Sequence, residues 1–170
     1  HEILGYYQQP PEAYNPLAQH PDPEQLVLDS LLQGTALAGR EKPFTWELDE
    51  ITSEGALHRY RARAEVEALI NLAERGPVDI EISTADKLVL RSLYDKDHFD
   101  PSTVIRIDHL GYKGKPPLEH DVKAVEVYLA EQLDAYGLGH LKEWVHFGMT
   151  SEDANNLAFN YMLRDAADQV

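Results

Sequence analysis

The stretch HDVKAVEVYLAEQLDAYG, residues 120–137, carries the clearest structural signal in this chain. Its apolar residues recur every three or four positions, which places them along one face of an α-helix. Those positions are Val122, Val125, Leu129, Leu133 and Tyr136. Because a glycine follows at position 137, where helices commonly end, the stretch predicts an amphipathic helix from His120 to Tyr136.

Similar periodicity along the rest of the chain predicts a mostly α-helical fold. Helices are expected at 23–32, 46–74, 83–94 and 101–110, and a last helix begins near Ser151. VDIEI, residues 78–82, alternates as a short strand does, which leaves a short hairpin open. The predicted fold class is therefore all-α, with several helices packed on one another.

Charge and composition narrow the classes of function. The 170 residues include 30 acidic and 15 basic side chains, a formal net charge of −15, which is unfavourable for nucleic-acid binding because phosphates need a basic face. No apolar run is long enough for a membrane span and no cysteine is present, so a reducing cytoplasm is expected. His140 and His146 do not share a helical face and no zinc-binding HExxH motif occurs, so neither a metal nor another cofactor is expected.

Two polar clusters lie at predicted helix starts, and each has two interpretations. Glu119, His120 and Asp121 begin one helix, and HFGMTSED, residues 146–153, leads into the last. Hydroxyls and acids in a first turn cap free N–H groups and face the positive end of the helix dipole, so capping accounts for both clusters. Helix starts that converge from different elements also form a pocket for an anion, and the presence of a histidine in each cluster favours that interpretation.

The ends of the sequence predict a fragment of a larger protein. The chain starts at His1 rather than at a methionine, and it stops at Val170 within the helical pattern ANNLAFNYMLRDAADQV. Because that pattern has no glycine, proline or basic last turn to end it, we expect the helix to continue.

Two stretches closely resemble the adenylosuccinate lyases, a family of the fumarase/aspartase superfamily. HDVKAVEVYLAEQL and WVHFGMTSEDANNLAFNYML are similar to the motifs H-D-V-K-A-V-E and H-F-x-x-T-S-E-D-I-N-N of the bacterial-type branch. LDEITSEGALHRYRARAEVEALINLAE, residues 48–74, also resembles an early helix of that branch. The resemblance runs from about Gly39 to Val170.

The resemblance implies the N-terminal portion of a homotetrameric enzyme. Residues 1–38 would be an irregular extension with one short helix, 39–149 the first helical domain, and 150–170 the start of the central helical bundle. The implied reaction eliminates fumarate from adenylosuccinate, giving AMP, and from the succinyl-carboxamide ribotide earlier in purine biosynthesis. The family's general acid and general base come later than Val170, so no catalytic residue is expected in this chain and the chain alone would be inactive.

The resemblance also assigns substrate-binding residues to the second polar cluster. Thr150 and Ser151 match the family's Thr-Ser, which contacts the substrate, and hydroxyls beside backbone N–H groups are suitable donors to a carboxylate. His146 matches a histidine that lies near the substrate's phosphate.

The resemblance implies that residues of the first cluster, and of the beginning of the similar region, contact the nucleotide part of the substrate. His120 and Asp121 match a His-Asp pair that contacts the nucleotide, and Glu119 takes the preceding contact position. Family members also carry Arg-Tyr near their start for the nucleotide end of the substrate. Arg40 aligns with that arginine, but Glu41 replaces the tyrosine, and an acid there would repel phosphate.

Two other hypotheses stay open. The chain could be part of a sister lyase such as argininosuccinate lyase, although H-D-V-K-A-V-E combined with T-S-E-D-x-N-N is particular to the purine enzyme. It could also be a lyase-derived helical domain used in regulation or assembly, which Glu41 and SEGAL in place of S-E-Y-G-L favour. A downstream signature loop with serine, methionine, lysine and asparagine would support the enzyme.

Overall fold

The computed structural model describes residues 22–32 and 50–168, and every regular element within these ranges is helical. In chain order they are α1 Pro23–Leu31, α2 Glu54–Arg75, α3 Thr84–Ser92, α4 Pro101–Ile105, a π-helical turn Arg106–Leu110, α5 Asp121–Ala135, a 3₁₀ turn Gly139–Trp144 and α6 Ser151–Asp168. The all-α prediction is confirmed for these residues. The predicted boundaries at 39 and 150 stay a prediction, and of the predicted N-terminal extension only 22–32 is described.

Helix α2 starts later than the sequence pattern predicts. A helical turn at 50–52 breaks at Ser53, whose hydroxyl accepts a hydrogen bond from the backbone N–H of Ala56 at 3.1 Å. The prediction of one helix over 46–74 was therefore wrong at Ser53, because a serine hydroxyl competes for backbone N–H groups and favours a helix start over continuation. Residues 46–49 lie outside the described ranges.

The main core lies between α2, α3, α5 and the 3₁₀ turn. Val122, Val125, Leu129 and Leu133 are all buried there, which confirms the predicted face of α5. Tyr136 was predicted on the same face, but 51% of its surface is exposed. It caps the end of α5, where the backbone has already left helical geometry, and so it no longer follows the helical period.

The predicted strand over 78–82 was wrong. These residues follow α2 without a backbone hydrogen-bond partner, and no strand occurs within the described ranges. Ile80 is buried in the main core and Ile82 packs against it, so the alternation reflects side-chain burial against helices. The only pairing of hairpin type in the described residues is an isolated bridge between Tyr112 and Lys115.

The short helices predicted over 83–94 and 101–110 are confirmed, and the second changes type along its length. Asp100 caps α4 through the backbone N–H groups of Ser102 and Thr103. From Arg106 the helix widens, and the N–H of Gly111 bonds the carbonyl of Arg106 five residues back at 2.8 Å. This π-helical turn leads directly into the loop before α5.

Helix α6 packs along the side of α2 that faces away from the main core. Ala56 and Ala158 let the two helices approach closely, and Tyr60 fills the space beside them. The Tyr60 hydroxyl donates to Asp165 at 2.9 Å. Helix α2 thus contacts both helices whose starts carry the polar clusters. Within the described ranges, no helix combines the length and apolar character needed to cross a membrane.

Candidate functional site

The first polar cluster lies where α5 begins. His120 caps the helix, since its Nδ1 accepts a hydrogen bond from the backbone N–H of Lys123 at 3.3 Å. A ring nitrogen that accepts carries no proton, so Nε2–H is the donor that this half-exposed imidazole offers to a ligand. The exposed Glu119 precedes it at φ +51°, in the left-handed region. Capping is confirmed for His120, and one of its nitrogens stays available.

The second polar cluster caps α6 through one residue and leaves its neighbour free. Thr150 Oγ1 accepts from the backbone N–H of Asp153 at 3.3 Å, and Asp153 Oδ2 accepts from the N–H of Thr150 at 2.8 Å. This reciprocal pair is a capping box, and the Thr150 backbone N–H holds the pKa of Asp153 below its usual value. Among the described residues, the Ser151 hydroxyl has no hydrogen-bond partner. Capping is therefore confirmed for Thr150, while Ser151 can donate elsewhere.

A buried arginine of α2 joins the two helices whose starts carry the clusters. Arg61 Nη2 lies 2.5 Å from Oδ2 of Asp121, the first residue of α5, and Arg61 Nε donates to Oδ1 of Asn155 near the start of α6 at 2.8 Å. Only 5% of the Arg61 side chain is exposed. The planar guanidinium holds its donors at fixed angles, so one side chain fixes the start of α5 relative to the start of α6. A shared pocket requires this arrangement.

His58 is a neutral acceptor for the same guanidinium. Arg61 Nη1 lies 3.2 Å from His58 Nδ1, and the imidazole is fully buried. Burial, and after it the positive charge of Arg61, lower the pKa of His58 to about 3. The ring is therefore uncharged near neutral pH and can accept from Arg61. His58 Nε2 is buried without a hydrogen-bond partner among the described residues.

One helical turn further along α2, Glu65 contacts the predicted phosphate-side histidine. Glu65 Oε1 lies 2.7 Å from His146 Nδ1, with the Glu65 side chain fully buried and 19% of the His146 side chain exposed. Burial raises the pKa of Glu65, and the hydrogen bond with His146 opposes that rise. His146 has φ +62°, in the left-handed region that costs a non-glycine residue about 1 kcal/mol or more. The contact ties the segment before α6 to the core helix.

The described residues of the predicted site lie at two helix starts that α2 holds in place. Asp121 and His146 contact α2 directly through Arg61 and Glu65. The remaining predicted residues of these two helix starts are Glu119, His120, Thr150 and Ser151. Arg40 and its neighbour Glu41 lie outside the described residues. The roles of all these residues toward a substrate stay predictions.

Sequence reasoning missed the residues of α2 that hold the site. His58, Arg61 and Glu65 are spaced by three and four positions and so form one stripe of the helix, on the buried side. Charged residues in an amphipathic helix ordinarily face water, so the pattern alone gave no reason to single these three out. The available signal was that this polar stripe interrupts a helix that is otherwise apolar on the same side.

Another group of side chains beside Arg61 has the composition of a metal site. Glu54, Asp108 and His109 each place one ligand atom within 4.8 Å of the others. His109 Nε2 lies 3.4 Å from Glu54 Oε1 and 3.5 Å from Asp108 Oδ2, so the imidazole sits between two carboxylates. Pairing of the imidazole with these acids accounts for the group, and we assign it no metal.

A cleft of about 600 Å³ is formed by other residues, including Arg59 and Asp165. None of the described residues of the predicted site lines it. Leu32 and Glu50 lie on its wall, on either side of the segment 33–49 that is not described, so we assign no ligand to this cleft.

Comparison with known proteins finds adenylosuccinate lyases from bacteria and from a eukaryote. The chain is 32% identical to the enzyme of Buchnera aphidicola subsp. Acyrthosiphon pisum over 148 residues and 31% identical to that of Escherichia coli K12 over 152 residues. It is 29% identical to the adenylosuccinate lyase of Dictyostelium discoideum over 150 residues. No family model matches the chain. The resemblance to this family is thus confirmed: the chain is similar to adenylosuccinate lyases over 85% of its own length, and it spans 31% of theirs.

Proposed function

We propose that this chain is the N-terminal part of an adenylosuccinate lyase, a carbon–nitrogen lyase of purine biosynthesis. The observation that carries the proposal is that Arg61 holds Asp121 and Asn155, one residue from each of the two motifs that resemble the family. Helix capping needs no such link between helices that are distant in the chain. The similarity to adenylosuccinate lyases over most of the chain supports the same conclusion.

The reaction removes fumarate from adenylosuccinate, giving AMP, and from the succinyl-carboxamide ribotide. A base takes a proton from the succinyl carbon next to a carboxylate, the carbon–nitrogen bond breaks, and an acid protonates the departing nitrogen. The carboxylate gains negative charge in the transition state, so donors aimed at it lower the barrier. The Ser151 hydroxyl and the N–H groups at the start of α6 are suited to that role, with Thr150 beside them.

The other end of the substrate would meet the start of α5. His120 would donate from Nε2 to the nucleotide, with Asp121 and Glu119 beside it, and His146 would lie near the phosphate. Arg40 would complete the nucleotide end. This chain would supply binding groups, whereas the acid and the base are expected in the remainder of the protein. Acid–base chemistry of this kind needs no cofactor.

The assembly and location follow from the same proposal. We expect a homotetramer whose sites combine residues from several subunits, and we expect the protein in the cytoplasm, where its nucleotide substrates are made. Nucleic acid is not an expected partner, since the net charge of −15 opposes phosphate polymers.

Incubation of the full-length protein with adenylosuccinate and, separately, with argininosuccinate tests the proposal through the amount of fumarate released. Release from adenylosuccinate supports it, and release from argininosuccinate alone would assign the chain to the sister lyase. Release from neither would favour the lyase-derived assembly domain. The 170-residue chain by itself is expected to release none, and turnover by it would contradict the placement of the acid and the base elsewhere.

A further inference from the structure

We propose that Glu65 is a positioning residue of the substrate site, which holds the His146 imidazole with Nδ1 protonated and Nε2 free for the substrate. The two residues lie 81 positions apart and meet at 2.7 Å. This inference rests on the proposed function and extends it to a buried residue that touches no substrate.

Packing alone does not account for Glu65. Its side chain is fully buried, and it borders a small cavity that is otherwise lined by apolar residues such as Leu69, Leu90 and Leu129. Glu65 Oε2 has no hydrogen-bond partner within the described part of the chain. A buried carboxyl with an unpartnered oxygen carries a desolvation cost that packing alone does not offset. His146 is the side chain that gives Glu65 a hydrogen bond.

His146 has a conformation that needs support. Its φ of +62° is unfavourable for a residue with a side chain, and such conformations cluster at binding sites, where surrounding contacts maintain them. His146 also lies only five positions before Ser151, the first residue of α6, which places it beside that helix start. Burial, together with the negative charge of Glu126, raises the pKa of Glu65. The Glu65 contact therefore sets the direction of the imidazole at the predicted site.

The chemistry of the pair selects one form of the imidazole. A carboxylate oxygen can only accept a hydrogen bond, so the 2.7 Å contact is made with a proton on His146 Nδ1, which donates to Glu65 Oε1. An imidazole without a proton on Nδ1 would set two acceptors against each other. An acid that orients a histidine in this way acts as the aspartate of a hydrolytic triad does, through the ring and without contact to the substrate.

Two substitutions at Glu65 separate the hydrogen bond from the charge. Glu65→Gln keeps the shape and an acceptor oxygen, whereas Glu65→Leu removes the acceptor. Glu67→Gln is the matched control, because Glu67 lies on the same helix and bonds Arg91 and Tyr94 instead. All three belong in the full-length protein.

The expected result is a selective loss of substrate binding. Glu65→Leu should raise KM for adenylosuccinate roughly tenfold or more with a smaller change in kcat, because a misdirected His146 loses a contact made equally in the ground state and the transition state. Glu65→Gln should restore much of that loss, and Glu67→Gln should match the wild type. The melting temperature of Glu65→Leu should fall only slightly, because the His146 side chain left without its partner is partly exposed and can be hydrated.

The His146→Gln background decides whether Glu65 acts through the ring. Once His146 is replaced, Glu65→Leu should cause no further rise in KM. The effects of two substitutions are not additive when one residue acts only through the other. An unchanged KM for Glu65→Leu, an equal loss in the His146→Gln background, or a loss that merely follows a lower melting temperature would overturn the inference. A wild type that releases no fumarate would instead defeat the proposed function, and this inference with it.

Discussion

The guanidinium of Arg61 and the carboxylate of Asp121, 60 positions apart in the chain, meet at 2.5 Å where α2 passes the start of α5. Because Arg61 also binds Asn155, one buried side chain fixes the start of α5 relative to the start of α6. The stability of the fold and the shape of the candidate site therefore depend on the same residue.

Arg61→Met should lower the free energy of unfolding by about 2 kcal/mol. Breaking a buried ion pair by removing one partner costs about 3–5 kcal/mol, and the loss is smaller here because 40% of the Asp121 side chain is exposed and can be hydrated. Urea denaturation measures the change. Arg59→Met is the control, since Arg59 stacks on the Tyr60 ring at 4.4 Å and should cost less than about 1 kcal/mol. Equal losses for the two variants would contradict a special role for Arg61.

His58 should make the fold sensitive to acid. Its pKa is lowered from 6.5 to about 3 in the folded chain. Between pH 6.5 and about pH 3, His58 is therefore protonated in the unfolded chain and neutral in the folded chain. Stability should therefore fall as the pH falls through this window, by up to about 1.4 kcal/mol per pH unit from this residue.

Urea unfolding of His58→Asn at several pH values within that window tests this expectation. The Asn Oδ1 atom can replace Nδ1 as an acceptor for Arg61, and the variant should lose stability less steeply on acidification than the parent. His98→Asn is the control, because 60% of the His98 side chain is exposed. Parallel pH profiles for His58→Asn and the parent would show that this buried histidine does not govern acid unfolding.

Ser151→Ala should lower turnover of the full-length protein by on the order of a hundredfold, the usual effect of removing one donor aimed at a carboxylate that gains charge. Stability should hardly change, because Thr150 supplies the cap of α6. Thr150→Ala should in addition cost about 1 kcal/mol of stability, because Thr150 also caps the helix. Fumarate release and melting curves on both variants separate the roles. A Ser151→Ala variant with altered stability and normal turnover would reduce Ser151 to a helix-start residue.

His120→Asn separates capping from substrate binding at the start of α5. Asparagine caps helices well, so the variant should be as stable as the parent. If Nε2 of His120 binds the nucleotide, the same variant should lose more than tenfold in kcat/KM, about 1.4 kcal/mol of transition-state stabilisation. Steady-state kinetics and a melting curve on one preparation decide. Near-normal kinetics would mean that EHDVKAVE starts a helix and does nothing more.

The parts of the fold that sequence predicted are those governed by neighbours in the chain. The buried face of α5 follows from residues three and four apart, and the start of α3 follows from Ser83 and Asp86, which form a capping box within one turn. Both polar clusters were placed at helix starts for the same reason. These features need no knowledge of the tertiary structure.

The contacts that assemble the candidate site depend on partners far away in sequence. Arg61 and Glu65 are buried because Asp121 and His146, 60 and 81 positions away, satisfy them. No local pattern contains that information, so the sequence analysis did not single out these two residues. The break at Ser53 was missed because the free energies of capping and of helix continuation differ little at a serine.

The π-helical turn allows the loop before α5 to vary in length without moving the site. Its carbonyls at Ile107 and Asp108 accept hydrogen bonds from the backbone N–H groups of Leu118 and Glu119 at 3.0 and 2.9 Å. Both ends of the intervening loop are therefore held together by main-chain hydrogen bonds. Insertions and deletions at the exposed tip, near Gly114, would lengthen or shorten the loop, while its two ends stay together. Natural relatives can then differ in this loop and still present the residues after Glu119 at the same place.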